Sequence, residues 1–188
     1  MKTTSRGILA GLWNMSKVRM VVIALMALTC SSNFFGYSVL THEEIVDLMW
    51  TQEVRPIVLE RFPDLTEDQI REAHAYAYGG SVIQDLGYYP FGNKEFSNLT
   101  HYIRSGDFVE ELIGESRDAN EYAFALGALS HYTSDVAGHP AINESVAIAY
   151  PKLRAKYGRF VRYAQDKTAH LKTEFGFDTL QVAKNRRV

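Results

Sequence analysis

Apolar positions recur along this chain at helical spacing, and alternating strand-like patterns are missing. Thr41-His-Glu-Glu44 reads as a capping box, with Ile45, Leu48 and Met49 as the apolar set that follows. A first helix is predicted to begin there, with His42 in its opening turn. Thr66-Glu-Asp-Gln69 repeats the device, and the helix it opens, over 67–78, is predicted to stop at Gly79-Gly80, where glycine tolerates a left-handed terminus. Residues 80–100 are rich in Gly, Tyr, Asn and Pro without a clean period, which predicts a long loop, and long loops in compact domains are often functional. A short helix over 107–113 precedes Asp118, whose carboxylate suits the cap of a third strong helix over 119–137, ended by Gly138 and Pro140. Pro140 and Pro151 each suit a first helical turn, Gly158 closes the second of these pieces, and a last helix covers 167–184. The fold class expected is all-α, a multi-helical single domain without internal repeats.

Composition narrows the chemistry. A chain of 188 residues, 46% hydrophobic and 22% charged, is long enough for one core and too apolar for disorder. A net charge of −2 argues against holding nucleic acid by phosphate neutralisation, so no stable nucleic-acid partner is expected. The single cysteine, Cys30, excludes an internal disulfide framework and a thiolate zinc site. Any metal must be held by nitrogen and oxygen.

The first 36 residues read as an export signal. No acid precedes Glu43, while Lys2, Arg6, Lys17 and Arg19 lead into the apolar run Met-Val-Val-Ile-Ala-Leu-Met-Ala-Leu at 20–28. A cleaved signal is favoured over a retained membrane anchor, because Ser31, Ser32, Asn33 and Gly36 make the second half of the uncharged stretch polar. Ala27-Leu28-Thr29 before Cys30 fits a lipoprotein signal poorly, and Met15 or Met20 is an alternative start. Without those four basic residues, 16 Lys and Arg stand against 22 Asp and Glu, so residues 37–188 form an acidic domain, expected to be periplasmic or secreted.

The candidate chemistry centres on the 119–137 helix. Between Glu121 and Glu144 the one formal charge is Asp135, set among Ala, Gly, Leu, Phe and Tyr. A helix apolar all round is buried. At 100° per residue Tyr122, Leu126, Leu129, Thr133 and Val136 share one face, and Phe124, Ala128, His131 and Asp135 the opposite one. A lone buried carboxylate costs several kcal/mol or protonates, so Asp135 needs a cation or donors beside it. His139 extends the series to His131-x-x-x-Asp135-x-x-x-His139, and His170 with Glu174 makes a second i, i+4 pair, a spacing that aims two ligands at one ion. Each piece alone has an ordinary reading: His131 as a satisfied core histidine, Asp135 as a buried cap or ion-pair acceptor, His170 and Glu174 as a solvated pair, Asp85 and His101 as turn residues. Five of the six histidines, His42, His101, His131, His139 and His170, lie near helix starts, on the inward helix or next to an acid, and that combination favours metal. His74 reads as structural or surface.

In order along the chain, these pieces resemble the zinc-dependent phospholipase C family, which shares its fold with fungal-type zinc single-strand nucleases and the catalytic domain of glycosylphosphatidylinositol-specific phospholipase D. They are Thr41-His42, Gly80-Ser-Val-Ile-Gln-Asp85 leading into Gly-Tyr-Tyr-Pro, His101, the run Ala128-Leu-Ser-His131-Tyr-Thr-Ser-Asp135, His139, and His170-Leu-Lys-Thr-Glu174. The resemblance implies an all-helical domain holding up to three Zn2+ ions. Asp85, His101, His131 and Asp135 would hold one ion, and His139, His170 and Glu174 a second. Asp135 would bridge to a third, completed by His42 and the mature chain's first residue, for which Tyr37 is one candidate. Asp85 would be catalytic, orienting or deprotonating the attacking water. The implied partner is a phospholipid or other phosphodiester substrate, with peripheral membrane contact; the oligomeric state is left open.

The sequence departs from that pattern in places. The four-residue step from Asp135 to His139 matches the glycosylphosphatidylinositol-cleaving branch, and the bacterial choline-cleaving enzymes have a longer one. Leu86 and Asn98 stand where those enzymes box choline with aromatic residues, so choline specificity is not implied; Tyr88, Tyr89 and Phe91 are candidates to line another pocket. Family members usually carry further helices after the last ligand, which implies truncation at the C-terminus. The function expected is an exported zinc-dependent phosphodiesterase, with a single-strand nuclease or nucleotidase, or a non-catalytic metal-binding helical protein, as alternatives.

Overall fold

The computed structural model describes residues 39–185, so the segment read as a signal, with Cys30 and Tyr37, lies outside the described residues. Helix α1, Val39–Met49, runs through a π turn, Trp50–Val54, into α2, Arg55–Arg61. Pro56 explains the π turn: its ring clashes with a carbonyl four residues back, and the Arg55 N–H reaches the Trp50 carbonyl, five residues back. Thr41 is not a cap. The helix is already formed at Val39, and the Thr41 hydroxyl donates to Asp178 Oδ1 at 2.7 Å while the Leu40 N–H donates to Asp178 Oδ2 at 3.3 Å. A partner 137 residues away has taken the group that the local motif reserved for its own helix.

Helix α3, Glu67–Val82, opens on the expected capping box: the Gln69 N–H donates to Thr66 Oγ1 and the Thr66 N–H to Gln69 Oε1. It does not stop at Gly79-Gly80. A Cβ on Gly80 would lie 1.9 Å from the Phe124 carbonyl oxygen, and one on Gly127 would lie 2.0 Å from that of Ala77. These glycines let two helix backbones cross in contact. The expected loop over 80–100 is correspondingly shorter. After a 3₁₀ turn at Leu86–Tyr88, helix α4, Lys94–Tyr102, starts where the Asn93 side chain accepts from the Glu95 and Phe96 N–H groups.

Helix α5, Ser105–Glu115, leads to the central helix α6, Ala119–Ala149, capped by Asp118, which accepts from the Glu121 N–H at 2.9 Å. This helix continues 12 residues past its expected end at Ala137, with Pro140 inside it. Proline there costs about 3 kcal/mol, and burial of Ile142, Val146 and Ala147 beyond it offsets that, at roughly 1.5–3 kcal/mol for each large side chain. Helix α6 touches α1, α2, α3, α5, α7 (Pro151–Tyr157, ended by Gly158) and α8 (Lys167–Asn185). That surrounding explains why its first half is apolar on every side. Val136 departs from the expectation of a helix buried all round, being exposed, because past Ser134 only one side of α6 stays covered. His74 is structural, stacked between Trp50 and Tyr78 with Nε2 3.2 Å from Asp47. Among the described residues there is no strand, and no helix is long and apolar enough to cross a membrane.

Candidate metal centre

Six of the eight residues expected as ligands, His42, Asp85, His101, Asp135, His139 and Glu174, line one cavity, and His131 and His170 lie beside them, 3.2 Å from His101 and 3.1 Å from Glu174. Helix α1 brings His42, the 3₁₀ turn after α3 is led by Asp85, α4 brings His101, α6 brings His131, Asp135 and His139, and α8 brings His170 and Glu174. His42, His131 and His170 are each 1–2% exposed. The two oxygens of Asp135 divide the cluster: Oδ2 lies 3.6 Å from Nε2 of both His101 and His131, and Oδ1 lies 3.6 Å from His42 Nε2 and 3.9 Å from His139 Nε2. His101 Nε2 is also 3.2 Å from Asp85 Oδ1 and 3.2 Å from His131 Nε2. Glu174 Oε1 stands 3.1 Å from His170 Nδ1 and 3.7 Å from His139 Nε2.

The second nitrogen of four rings is anchored from behind. His131 Nδ1 is 2.8 Å from the Ser81 carbonyl oxygen and His101 Nδ1 is 2.7 Å from that of Ser97. A carbonyl can only accept, so both Nδ1 atoms carry the proton and both Nε2 atoms, when neutral, present lone pairs to the cavity. His42 follows by a relay: the Ser134 hydroxyl donates to the His131 carbonyl, so it accepts from His42 Nδ1 at 3.1 Å. His170 Nε2 donates to Asn143 Oδ1 at 3.1 Å, which leaves Nδ1 buried without a hydrogen bond in front of Glu174.

Where these rings are neutral, acceptors therefore face acceptors. Two imidazole lone pairs 3.2 Å apart, flanked by two carboxylates, repel unless a proton or a cation lies among them. Ligand atoms about 2.0–2.1 Å from a tetrahedral zinc ion are roughly 3.3 Å from one another, and the spacing here is of that size. Two groups are compact enough to hold an ion as they stand: Asp85, His101 and His131, and His42, His131 and Asp135. His139, His170 and Glu174 are linked through Glu174 but more open, with the His139 side chain 39% exposed.

Burial and neighbouring charges set the electrostatics of the cluster. Burial, then the neighbouring His131, pushes the His42 pKa down to about 3 against the pull of Asp135 and Asp85. Burial alone would raise Asp85, but its hydrogen bond to His101 and the charges of His131 and His42 hold it at about 2. Burial alone would lower His101, yet Asp85 and the Ser97 carbonyl raise it, and Glu174 is raised chiefly by burial.

Above the cluster opens a cavity of about 260 Å³, walled by Tyr88, Tyr89, Tyr102, Tyr163, Leu171 and Phe175. Of the aromatic residues expected to line it, Tyr88 and Tyr89 do; Phe91 points fully into solvent. Neither Leu86 nor Asn98 is part of the wall, and Asn98 instead accepts from the Tyr88 hydroxyl at 3.1 Å. Sequence reasoning missed Tyr102, Tyr163, Leu171 and Phe175, and also the four anchors: Ser81 and Ser97 act through backbone carbonyls, which leave no trace in residue identity, and Ser134 and Asn143 through side chains that only the fold brings to a ring.

The description of the zinc-dependent phospholipase C family matches residues 41–187. No curated protein and no solved structure matches the chain. The family match spans every residue of the cluster, from His42 to Glu174, and the chain belongs to the zinc-dependent phospholipase C family.

Proposed function

We propose that this protein is an exported zinc-dependent phosphodiesterase that hydrolyses phospholipids or related phosphate esters with water. The observation that carries the reading is the facing pair of His101 and His131 lone pairs between the Asp85 and Asp135 carboxylates, an arrangement that calls for a divalent cation. The residues that would hold zinc are Asp85, His101, His131 and Asp135 in one group, His42 with the second oxygen of Asp135 in another, and His139, His170 and Glu174 in the most open one. Zinc bound there supplies Lewis acidity, bringing the pKa of water to about 7 and neutralising phosphoryl charge.

The chain's own residues do the rest. Asp85, ionised and at the cavity wall, accepts a hydrogen bond from the attacking water and fixes its direction; with so low a pKa it orients more than it abstracts. The Ser81 and Ser97 carbonyls hold the His131 and His101 rings in one tautomer and orientation. Tyr102 and Tyr163, whose phenols are kept protonated by burial, offer donors to phosphate oxygens along the wall.

Protein purified without chelator should carry zinc, release phosphorylated head groups from mixed phospholipid micelles, lose that activity to a chelator and regain it with zinc. Asp85→Asn should cut the rate at least about 100-fold, the usual weight of a group that positions the nucleophile. Wild-type activity in that variant, or protein free of zinc and inactive after zinc is added, would overturn the reading; cleavage of single-stranded DNA in place of phospholipid would move the substrate to nucleic acid. Export through residues 1–36 is part of the proposal, checked by sequencing the amino terminus of protein recovered outside the cytoplasm, where an intact residue 1 would refute cleavage.

A further inference from the structure

The mouth of the cavity carries an exposed apolar rim. Tyr89, Tyr102, Leu171 and Phe175 all line the cavity, yet they are 44%, 63%, 51% and 66% exposed. Single exposed apolar side chains are ordinary, but a cluster around one opening marks a contact surface. Two residues beyond Tyr89 stands Phe91, at 109% exposure the most exposed large hydrophobic side chain among the described residues.

The backbone around Phe91 makes that exposure a built feature. The Gly92 N–H closes a turn on the Tyr89 carbonyl at 2.9 Å, with Pro90 second and Phe91 third, and Phe91 sits at φ +69°. The third position of such a turn favours Gly or Asn, and a bulky side chain there is strained by about 1–2 kcal/mol. The segment is packed too tightly to relax: a Cβ on Gly92 would fall 2.3 Å from the Leu86 carbonyl oxygen, and one on Gly87 would fall 2.1 Å from that of Asn93. A rigid, self-packed loop thus holds an aromatic ring out in water at a conformational cost. Strain that the surroundings enforce, next to a cavity, is a pointer to function.

We infer that the turn Tyr89–Gly92, together with Tyr102, Leu171 and Phe175, docks the protein on a phospholipid surface by inserting Phe91 at the boundary between head groups and acyl chains. This deepens the proposed function and rests on it. The phosphodiester of a lipid lies at that boundary, so a cavity ringed by Tyr, Leu and Phe meets its substrate only if the ring enters the same layer, and amphipathic or apolar rings are the side chains that partition there. The cavity lining includes no Lys or Arg, and residues 37–188 carry 16 Lys and Arg against 22 Asp and Glu, so the surface that fits is electroneutral, phosphatidylcholine-like lipid in preference to an anionic one.

The test is co-sedimentation of the exported, signal-cleaved protein with phosphatidylcholine vesicles, with chelator present so that binding is read without turnover. Phe91→Ala and Phe175→Ala should each weaken binding on the order of tenfold, the scale of removing one buried aromatic ring. Ile148→Ala, an exposed apolar residue outside the cavity lining, should leave it unchanged. Phe91→Gly separates docking from folding: glycine accepts the positive φ, so this variant should melt at or above the wild-type temperature and still bind vesicles weakly. Wild-type affinity in Phe91→Gly, or no vesicle binding by the wild type, overturns the inference. So does a dimer in solution that Phe91→Gly dissolves, because the rim would then be a contact between copies. Hydrolysis of a soluble, short-chain diester by the wild type reports on the catalytic proposal separately, whatever the vesicles show.

Discussion

His170 uses its two nitrogens in opposite ways, and that division carries more information than its spacing to Glu174. Nε2 gives its proton to Asn143 Oδ1, so Nδ1 is committed to a lone pair directed at the carboxylate side of the cluster. Asn143 therefore acts as a positioning residue, fixing which atom of His170 is available. Asn143→Leu should leave the helices intact, free the ring to change tautomer, and lower zinc affinity roughly 10–100-fold, the weight of an outer hydrogen bond to a ligating histidine. Asn143→Asp keeps an acceptor at the same place and should retain affinity. Competition with a chromophoric chelator measures both, and equal affinity in the Leu variant would show that Asn143 only fills space. The same logic makes Asp135→Asn the most damaging conservative change in the cluster: the carboxylate is shared by four imidazoles at 3.6–3.9 Å, and an amide offers one acceptor where two are used.

At the scale of elements, what the sequence announces is where helices start. The Thr66/Gln69 box and the Asp118 cap are made by groups three residues apart, so their partners are legible in the same short string. Where helices stop is decided elsewhere in the molecule. Gly79-Gly80 reads as a terminus, but Gly80 faces the Phe124 backbone, and Pro140 reads as a breaker, but the core beyond it holds Ile142 and Val146. The site divides in the same way. His131, Asp135, His139, His170 and Glu174 are visible through i, i+4 spacing, Asp85 and His101 become ligands only through the family resemblance, and the carbonyls behind the rings are invisible. The close crossing of α3 and α6 yields a contrast between glycines. Gly80→Ala and Gly127→Ala should each destabilise by about 1–3 kcal/mol through overpacking, more than the roughly 1 kcal/mol that alanine gains in helix propensity, and lower the melting temperature by about 3–10 °C. Gly114→Ala, in α5 with open space where its Cβ would lie, should instead raise stability by about 0.5–1 kcal/mol. Thermal melts of the three variants check this, and a tolerated Gly80→Ala would mean that the helices do not touch as described.

For the whole molecule, the cluster makes folding a balance between protons and metal. His42 has a folded pKa near 3 against 6.5 when unfolded, and Asp85 about 2 against 3.8, so between those limits the unfolded chain binds more protons. The stability these two groups lend is complete above pH 6.5 and is lost as the pH falls through that window. His101 and Glu174 are shifted upward, so what they lend is complete below their unfolded values of 6.5 and 4.5 and is lost as the pH rises through their folded ones. The metal-free protein is thus pressed from both sides: acid must protonate His42, and neutrality removes the protons that shield acceptor from acceptor. Zinc relieves the second pressure and not the first, because its ligands must be deprotonated. At a thousandfold excess over its dissociation constant, zinc adds about 4 kcal/mol of stability, or roughly 8–16 °C in the melting temperature of a chain of this length. The zinc-induced shift should therefore be largest at pH 7–8 and shrink steadily below about pH 6.5, while the metal-free protein itself becomes less stable toward acid as His42 is titrated. Melting curves with chelator and with zinc, taken from pH 5 to 8, decide it. A shift that stays flat across that range would mean that the ion binds somewhere other than among these imidazoles and carboxylates.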